Sequence, residues 1–334
     1  MTQSTQLHGV NLGGWLVLEK WMTPSLFQGT KAIDEYTFMQ TAGAMDKIEN
    51  HRKTFITESD FKWLHKSGVN AVRIPIGYWI FEGDGPFAPA IEYLDWAVKM
   101  AEKYQLKILI DLHGHKGSQN GKDHSGQVGK SEWHRHKDYR QESIDTLEKI
   151  ARRYYAAKSV WGIEMINEPK FGLVQWKLRW FYKRAYDRLR AVARPGTAIV
   201  FHDAFTPRLM TGTLWSDPNY PAVMDIHWYQ FGSVWRKREP LAGYFTRVWR
   251  RGWQLLRLQR KQPVIIGEWS IVLTEEALAG RTKEERQSAF RRHAELQLKT
   301  YDFALGWFYW SYKTEERGIW NFRAVVEDGV ISLK

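Results

Sequence analysis

Short apolar runs rich in β-branched and aromatic residues recur along the whole chain, and longer segments with helical periodicity separate them. Eight runs are candidate strands: 9–12, 71–75, 108–112, 161–167, 198–202, 224–227, 264–268 and 306–310. Amphipathic stretches at 91–104, 140–157, 176–192 and 283–300 have helical spacing. Strands that alternate with helices form parallel sheets. Eight such units predict a (β/α)8 TIM barrel, with residues 1–334 as a single domain.

An open, doubly wound sheet is the structural alternative, and two observations favour the barrel. No glycine-rich phosphate-binding turn follows any candidate strand, which argues against nucleotide binding. Polar or aromatic side chains also stand where the apolar runs end, and in a barrel these strand ends converge on one mouth. These residues are Arg73, His113, Asn167, Glu168, His202, Asp203, His227, Glu268 and Trp310.

The absence of cysteine limits the chemistry available to the chain. It excludes zinc sites built on thiolates, iron–sulfur clusters and thiol nucleophiles. Five histidines fall between His113 and His136, but no accompanying motif of the H-E-x-x-H type marks a metal site. We therefore expect no metal and no cofactor.

The N-terminal segment and the apolar runs bear on the compartment. Residues 1–10 lack a basic flank and an apolar core, and no apolar run is long enough to span a bilayer. We expect a cytoplasmic protein as the chain stands, and a periplasmic or extracellular one if a leader has been removed.

Two carboxylates follow candidate strands 100 residues apart, Glu168 after the fourth strand and Glu268 at the end of the seventh. Cleavage of a glycosidic bond with retention needs such a pair, one protonated to assist the leaving oxygen and one ionised to attack the anomeric carbon. Their roles require different pKa values. A single glutamate at a strand end is more often an ion-pair partner or a helix cap, so the pair carries the prediction.

These residues resemble the signatures of glycoside hydrolase family 5. Asn167-Glu168-Pro169 is similar to that family's acid/base motif, and Gly267-Glu268-Trp269 is similar to its nucleophile motif. Other positions match further active-site signatures of the family: Arg73, His113, His227, Tyr229 and Trp310. The resemblance implies that Arg73 keeps Glu268 ionised and that Asn167 holds the sugar 2-hydroxyl. It also implies that His113 and His227 bind hydroxyls or orient the nucleophile, that Tyr229 bonds Glu268, and that Trp310 is a sugar platform.

A narrower resemblance, to the exo-β-1,3-glucanase group, extends from residue 9 to residue 315. It rests on the segments 9–19, 22–27, 117–121 with Asp123, 229–231 and 310–315. It implies that Glu19, Asp123 and His124 hold the terminal glucose in a pocket. Where that group reads Phe-Asp-Asn, this chain has Lys122-Asp123-His124, so one aromatic of the family's substrate clamp is replaced. The lack of cysteine and the shorter chain indicate a bacterial-type relative.

We therefore expect a retaining β-glucosidic hydrolase acting on β-1,3-glucan or a related β-glucan, with Glu168 as acid/base and Glu268 as nucleophile. A transglycosylase that uses the same residues and a noncatalytic glucan-binding barrel are the alternatives. The expected partner is a β-glucan or oligosaccharide, and we expect a monomer.

The net charge of +12 is concentrated in two helical stretches, 170–194 and 247–261, with interleaved tryptophans at 176, 180, 249 and 253. This pattern invites interpretation as a nucleic-acid or anionic-membrane surface. We favour outer barrel helices whose aromatics face the sheet while Lys and Arg face solvent. No nucleic acid is expected, and weak association with anionic lipid or acidic polysaccharide is the alternative.

Overall fold

The computed structural model describes residues 6–170, 172, 175–230 and 239–333, and it contains a closed barrel of eight parallel strands. The strands are β1 (Leu7–Asn11), β2 (Ala71–Gly77), β3 (Lys107–Gly114), β4 (Val160–Glu164), β5 (Ala198–His202), β6 (Ala222–His227), β7 (Val264–Trp269) and β8 (Gly306–Tyr309). Each strand pairs in parallel with its neighbour in sequence, and β1 pairs with β8. The predicted (β/α)8 TIM barrel is confirmed.

Ten α-helices lie among the described residues. They are α1 (Glu35–Phe38), α2 (Ala44–Phe55), α3 (Glu58–Lys66), α4 (Ile91–Lys103), α5 (Lys137–Arg153), α6 (Gln175–Arg190), α7 (Pro207–Met210), α8 (Leu241–Gln259), α9 (Lys283–Tyr301) and α10 (Phe322–Glu327). Short 3-10 turns occur at Pro24–Phe27 and Asp123–Ser125. Two of the longer helices begin at capping boxes, α3 with Thr57 and Asp60 and α9 with Thr282 and Glu285, because these side chains satisfy the free amides of the first turn.

Two of the hydrophobic clusters contain the barrel strands, as expected for a barrel whose interior is filled by side chains. A small inner cluster fills the base of the barrel: Leu7, Ala71, Leu109, Ala198, Val200, Val223, Ile265 and Phe308. A much larger cluster packs the outer face of the strands against the helices. The upper part of the interior is therefore left to polar residues.

The fourth candidate strand was predicted three residues too long. β4 ends at Glu164, and Asn167 and Glu168 lie in the loop that follows. Glu168 has a φ of 41°, a left-handed conformation that a strand cannot contain and that a residue with a side chain rarely adopts. The chain therefore turns sharply where the acidic side chain is presented.

The helical prediction for both basic stretches is confirmed, but the predicted orientation of their tryptophans is wrong. Trp176 and Trp249 are 69% and 63% exposed, and Trp180 and Trp253 are 40% and 55% exposed. The faces that pack on the barrel are already filled by other residues: Leu178, Phe181, Tyr182, Ala185, Tyr186 and Leu189 on α6, and Tyr244, Val248, Gly252, Leu255 and Leu258 on α8. The tryptophans fall outside these stripes and face outward.

Candidate active site

A cavity of about 450 Å³ opens at the end of the barrel where the strands terminate. Its lining includes eight residues predicted from sequence: Glu19, His113, His124, Asn167, Glu168, Tyr229, Glu268 and Trp310. Arg73 and His227 lie directly beneath and bond to these residues. Asp123, at the start of a 3-10 turn, lies close enough to Glu19 for its charge to raise the pKa of that carboxyl.

Glu268, at the end of β7, receives two hydrogen bonds that stabilise its ionised form. The Arg73 guanidinium donates to its Oε1 at 3.1 Å, and the Tyr229 hydroxyl donates to its Oε2 at 2.7 Å. Burial raises the pKa of Glu268 above its ordinary value, while the charges of His227 and Arg73 oppose that rise. The two donors therefore keep a buried carboxylate available as a nucleophile.

Only a glycine fits at position 267, immediately before this carboxylate. A Cβ there would lie 1.9 Å from Asp225 Oδ2, and the Gly267 amide donates to Asp225 Oδ1 at 2.6 Å. Asp225 in turn lies 3.3 Å from His227 Nε2. This close approach locks β7 against β6 and sets the position of Glu268.

Glu168 lies on the other side of His227. The His227 Nδ1 atom is 2.8 Å from Glu168 Oε1 and 3.4 Å from Glu268 Oε2. One ring nitrogen thus lies between the two carboxylates, and both acidic groups face the same part of the cavity.

The proton on His227 is shared with its acidic neighbours. Burial disfavours the imidazolium, but the charges of Glu268 and Asp225 outweigh it and raise the pKa of His227 well above its ordinary value. Burial likewise opposes ionisation of Glu168, yet the hydrogen bond from His227 lowers the pKa of Glu168 well below its ordinary value. Both shifts favour the proton on His227, one hydrogen bond away from the Glu168 carboxylate.

Arg73 is the fully buried centre of the charged floor. Its Nε donates to Glu164 Oε2 at 2.7 Å, and its NH2 group lies 3.0 Å from Asp111 Oδ2. Arg73 therefore contacts Glu268, as the resemblance implies, and also forms ion pairs with the carboxylates beneath it. NH2 also donates to Asn167 Oδ1 at 2.9 Å, which fixes the orientation of that amide.

The side-chain oxygen of Asn167 accepts a hydrogen bond from Arg73, so the amide NH2 group of Asn167 points toward the imidazoles of His113 and His124 and toward the cavity. Asn167 Nδ2 lies 3.2 Å from His113 Nε2 and 3.3 Å from His124 Nδ1. The other ring nitrogen of His113 is 2.5 Å from Asp111 Oδ2, and the ring stacks on Trp310 at 10°. These contacts place a donor where a sugar hydroxyl can accept.

The two residues that differ from the Phe-Asp-Asn motif of the exo-β-1,3-glucanase group, Lys122 and His124, lie beside Glu168. His124 Nε2 lies 3.4 Å from Glu168 Oε2, and Lys122 Nζ lies 3.8 Å from the same oxygen. Burial lowers the pKa of His124 to about 3, so this ring is neutral. The substitutions therefore change the side of the cavity that would contact the leaving group.

At the opposite wall, Glu19 is 5% exposed, and its Oε2 accepts a 2.8 Å hydrogen bond from Trp21 Nε1. Burial and then the charge of Asp123 raise the pKa of Glu19 well above its ordinary value. A protonated Glu19 can donate as well as accept, which suits a sugar hydroxyl.

Several lining or supporting residues were not predicted as site residues. Trp21, Lys122, Phe205 and Trp320 line the cavity. His202, at the end of β5, accepts from the Ala204 amide at 2.9 Å, and one of its ring nitrogens lies within 4.8 Å of a Glu168 oxygen. The sequence had placed His202 at the mouth, because it ends a candidate strand, but had given it no role in the site.

The loop at 117–121 supports the backbone of Asn167 and Glu168 through two side-chain amides. Gln119 Nε2 donates to the Asn167 carbonyl at 2.9 Å, and Asn120 Nδ2 donates to the Glu168 carbonyl at 2.9 Å. The part of the resembled motif at 229–231 that falls on Phe231 lies outside the described residues.

Among the described residues, two clusters of acidic and imidazole groups have spacings that could hold a cation. One contains Glu168, His202 and His227, and the other contains Glu164, Asp225 and His227. In the second cluster the Arg73 guanidinium already lies 2.7 Å from Glu164 and 3.9 Å from Asp225. These contacts make the second cluster part of the ion-pair network around Arg73.

The comparisons with known proteins agree with this geometry. The family described as Cellulase (glycosyl hydrolase family 5) matches residues 34–316. A probable glucan 1,3-beta-glucosidase A from Emericella nidulans is 33% identical over 98% of this chain and 90% of its own length. A glucan 1,3-beta-glucosidase from Kluyveromyces lactis is 31% identical over 98% and 89%.

Two solved structures share the fold. A rutinosidase from Aspergillus niger superposes with a TM-score of 0.80 at 22% identity, covering 97% of both chains. Thermotoga maritima Cel5A has a TM-score of 0.60 at 16% identity, covering 98% of this chain and 97% of that one. The family match, the two relatives and the paired carboxylates lead to one assignment: the chain belongs to glycosyl hydrolase family 5 and is a glycoside hydrolase.

Proposed function

We propose that this hydrolase cleaves β-1,3-linked glucan with net retention of configuration, with Glu268 as nucleophile and Glu168 as acid/base. The observation that carries the proposal is the single nitrogen, His227 Nδ1, within 3.4 Å of both carboxylates. The names of the similar fungal enzymes support the choice of β-1,3-glucan.

In the first step, Glu268 attacks the anomeric carbon while Glu168 protonates the departing glycosidic oxygen. When the substrate displaces water, the charged form of the His227–Glu168 pair becomes less stable. The proton then moves from His227 to Glu168 along their 2.8 Å hydrogen bond. Arg73 and Tyr229 hold Glu268 ionised until it bonds to carbon.

In the second step, Glu168 removes a proton from water, and that water attacks the glycosyl–Glu268 ester to release the sugar. Asn167 bonds the 2-hydroxyl in both transition states, because Arg73 turns its NH2 group toward the cavity. A sugar acceptor in place of water would lengthen the product, so product length reports whether hydrolysis or transfer follows.

The cavity suits a short occupant held at its inner wall. Glu19 forms the polar wall for the glucose to be released, with the charge of Asp123 close to it, and Trp310 offers the glucose an apolar face. Trp21 and Phe205, 42% and 45% exposed, offer rim surfaces for glucosyl units beyond the cleaved bond.

Trapping with a 2-deoxy-2-fluoroglucoside tests the assignment of the nucleophile. We expect the intact protein to gain the mass of one fluoroglucosyl group, with the label on the peptide that contains Glu268. Glu268→Gln should gain no label and should lose turnover, whereas Glu275→Gln, an exposed glutamate of the following loop, should behave as wild type. A label elsewhere, or full turnover by Glu268→Gln, would refute the assignment.

The substrate is tested separately by incubation with β-1,2-, β-1,3-, β-1,4- and β-1,6-linked glucans, followed by linkage and anomer analysis. We expect the highest kcat/KM on the β-1,3-linked polymer and a product of β configuration. Preference for another linkage would overturn the substrate while leaving the mechanism in place.

A further inference from the structure

The outer surface over α6, α7 and α8 combines exposed tryptophans with basic side chains, and none of these residues takes part in the proposed reaction. We call it the Trp-basic flank. It consists of Trp176, Arg179, Trp180, Arg208, Leu209, Trp215, Trp249, Arg250, Trp253, Arg257 and Lys261, all of them exposed. Trp215 is 91% exposed and Leu209 is 54% exposed.

Contacts between the three helices make the flank continuous. Arg179 on α6 donates a hydrogen bond to the carbonyl of Leu209 on α7. The loop that carries Trp215 contacts the end of α8, where the Gly212 amide lies 3.4 Å from Gln262 Oε1. A cavity of about 600 Å³ then joins α7 to α8, lined by Arg208, Thr211, Arg250, Trp253, Gln254, Arg257, Leu258 and Lys261.

The charge of the flank has one sign. The cavity between α7 and α8 brings four cationic side chains together, and the described residues that line it include no carboxylate. The sequence of α8 contains no acidic residue, and α6 contains only Asp187. Farther round the barrel, Arg188 pairs with Glu148 of α5 at 2.5 Å, so the unbalanced charge ends there.

The tryptophans are placed for an interface between water and apolar material. On α8, the exposed residues 249, 250, 253 and 257 follow helical spacing on one outward face, so that indoles and guanidinium groups alternate. The Arg184 guanidinium lies 4.7 Å from the centroid of Trp180, and Lys177 Nζ lies 5.5 Å from that of Trp176. Indole rings favour the headgroup level of a bilayer, and guanidinium groups bind phosphates.

We propose that the Trp-basic flank binds the surface of a bilayer rich in anionic phospholipid. The indoles insert at the depth of the headgroups, and the cavity between Arg208, Arg250, Arg257 and Lys261 receives a lipid phosphate. No helix among the described residues has both the length and the apolar character to cross a bilayer. The proposed association takes place at the bilayer surface. It does not depend on which glucan the enzyme cleaves.

A nucleic acid is the other polyanion that a basic, aromatic surface could bind, and the geometry disfavours it. Stacking on successive bases requires aromatic faces along a groove. Trp249 and Trp253 instead pack edge to face, with ring planes 77° apart on the convex side of a helix. Shallow insertion into a bilayer needs no parallel faces and uses both rings.

The flank also adjoins the active-site mouth. Phe205 lines the active-site cavity, and α7 begins two residues later. Thr206 Oγ1 accepts a hydrogen bond of 3.2 Å from Gln175 at the start of α6. A bilayer on the flank would therefore hold the mouth beside the membrane surface, where a surface-attached polysaccharide can reach it.

Flotation of the full chain with lipid vesicles tests the proposal. We expect binding to vesicles of equimolar phosphatidylglycerol and phosphatidylcholine, no binding to phosphatidylcholine alone, and weaker binding at high salt. The double variant Arg250→Glu/Arg257→Glu should bind at least about ten-fold more weakly, since each basic group near an anionic surface contributes favourably. Trp249→Ala/Trp253→Ala should bind several-fold more weakly with its net charge unchanged.

Lys62→Glu/Lys66→Glu, on the exposed face of α3, is the matched control because it changes the net charge by the same amount. It should retain binding within about two-fold, and circular dichroism and thermal unfolding should show that every variant is folded. Equal losses of vesicle binding in Arg250→Glu/Arg257→Glu and Lys62→Glu/Lys66→Glu would overturn the proposal. Undiminished vesicle binding by Trp249→Ala/Trp253→Ala would overturn it as well. So would wild-type protein that fails to float but binds DNA through the flank.

Discussion

The mouth of the barrel and the Trp-basic flank both combine arginine with aromatic side chains, but they use them in opposite environments. At the mouth, Arg73 is fully buried, and carboxylates and an amide surround its guanidinium. On the flank, Arg250 and Arg257 face solvent beside exposed indoles, on a helix without acidic residues. The same residue types therefore stabilise internal charge in one region and present unbalanced charge in the other.

This difference has an energetic basis. A buried guanidinium is tolerated only when opposite charges and hydrogen bonds replace its hydration, so Arg73 and its partners must change together. An exposed arginine remains hydrated and can be changed alone at little cost. Single substitutions at the mouth should therefore impair folding and catalysis, whereas single substitutions on the flank should impair only membrane binding.

The largest difference is expected between Arg73→Met at the mouth and Arg257→Met on the flank, because loss of the exposed arginine should cost little. Removing the Arg73 charge leaves Asp111, Glu164 and Glu268 buried without their cation, which should cost about 3–5 kcal/mol of unfolding free energy. Loss of the contact to Glu268 should also lower kcat by about 10²-fold or more. Chemical denaturation and kinetics on one glucan measure both quantities. A change in unfolding free energy below about 1 kcal/mol for Arg73→Met would contradict the role of Arg73 in stabilising these buried carboxylates.

A smaller effect is expected from Asn120→Ala. Its amide donates to the carbonyl of Glu168, whose backbone is left-handed, so kcat should fall about ten-fold, equivalent to about 1.4 kcal/mol. Asn70→Ala is the control, because Asn70 bonds backbone groups of residues 6 and 8 at the opposite end of the barrel. Asn70→Ala should lower thermal stability and leave kcat unchanged. Equal kcat losses in both variants would show a general structural effect.

The two regions were also unequally predictable from sequence. Part of the mouth could be named because its residues stand at the ends of short buried strands, which a barrel brings together. Glu19, Asp123, His124 and Tyr229 were named from the family resemblance instead. Gln119 and Asn120 could not be given their supporting role, because their bonds reach backbone 48 residues away. Helix α2 was not among the predicted helices, since two of its four buried residues are His51 and Arg52 and weaken its apolar periodicity.

The flank was mispredicted for a physical reason. Composition correctly indicated basic helices, but it did not show which residues pack on the sheet. On α6, Leu178, Phe181 and Tyr182 already supply a complete inward stripe, so Trp176 and Trp180 were left outside it. The position of an aromatic residue in the helical repeat, and not its hydrophobicity alone, therefore determines which face of an amphipathic helix it occupies.

The pH dependence of Tyr229→Phe probes the mouth without removing a charge. Glu268 must be ionised to attack, and burial already raises its pKa, so activity is lost as the pH falls through that pKa. The Tyr229 hydroxyl stabilises the ionised form through its 2.7 Å hydrogen bond, and removing it should raise the pKa of Glu268 further. The acidic limb of the kcat/KM profile should therefore move to higher pH. An unmoved limb, or a shift to lower pH, would contradict this role.

The basic limb of the same profile serves as the internal control. It reflects loss of the proton shared by His227 and Glu168, and the pKa of His227 is raised well above its ordinary value. Activity should be lost as the pH rises through that pKa in both the wild type and Tyr229→Phe. Movement of both limbs together would indicate a general change in the site and not the loss of one hydrogen bond.

The smallest effect is expected from Trp249→Ala on the flank. Its indole is 63% exposed and packs edge to face on Trp253, so truncation removes little buried area, and the unfolding free energy should change by no more than about 0.5 kcal/mol. Trp133→Ala offers the contrast, because Trp133 is 1% exposed, donates to Ser143 at 3.0 Å and should cost about 3–5 kcal/mol. Denaturant titration of both variants measures the difference. A large loss for Trp249→Ala would mean that the flank stabilises the barrel, and its exposed tryptophans would then need no external partner to explain them.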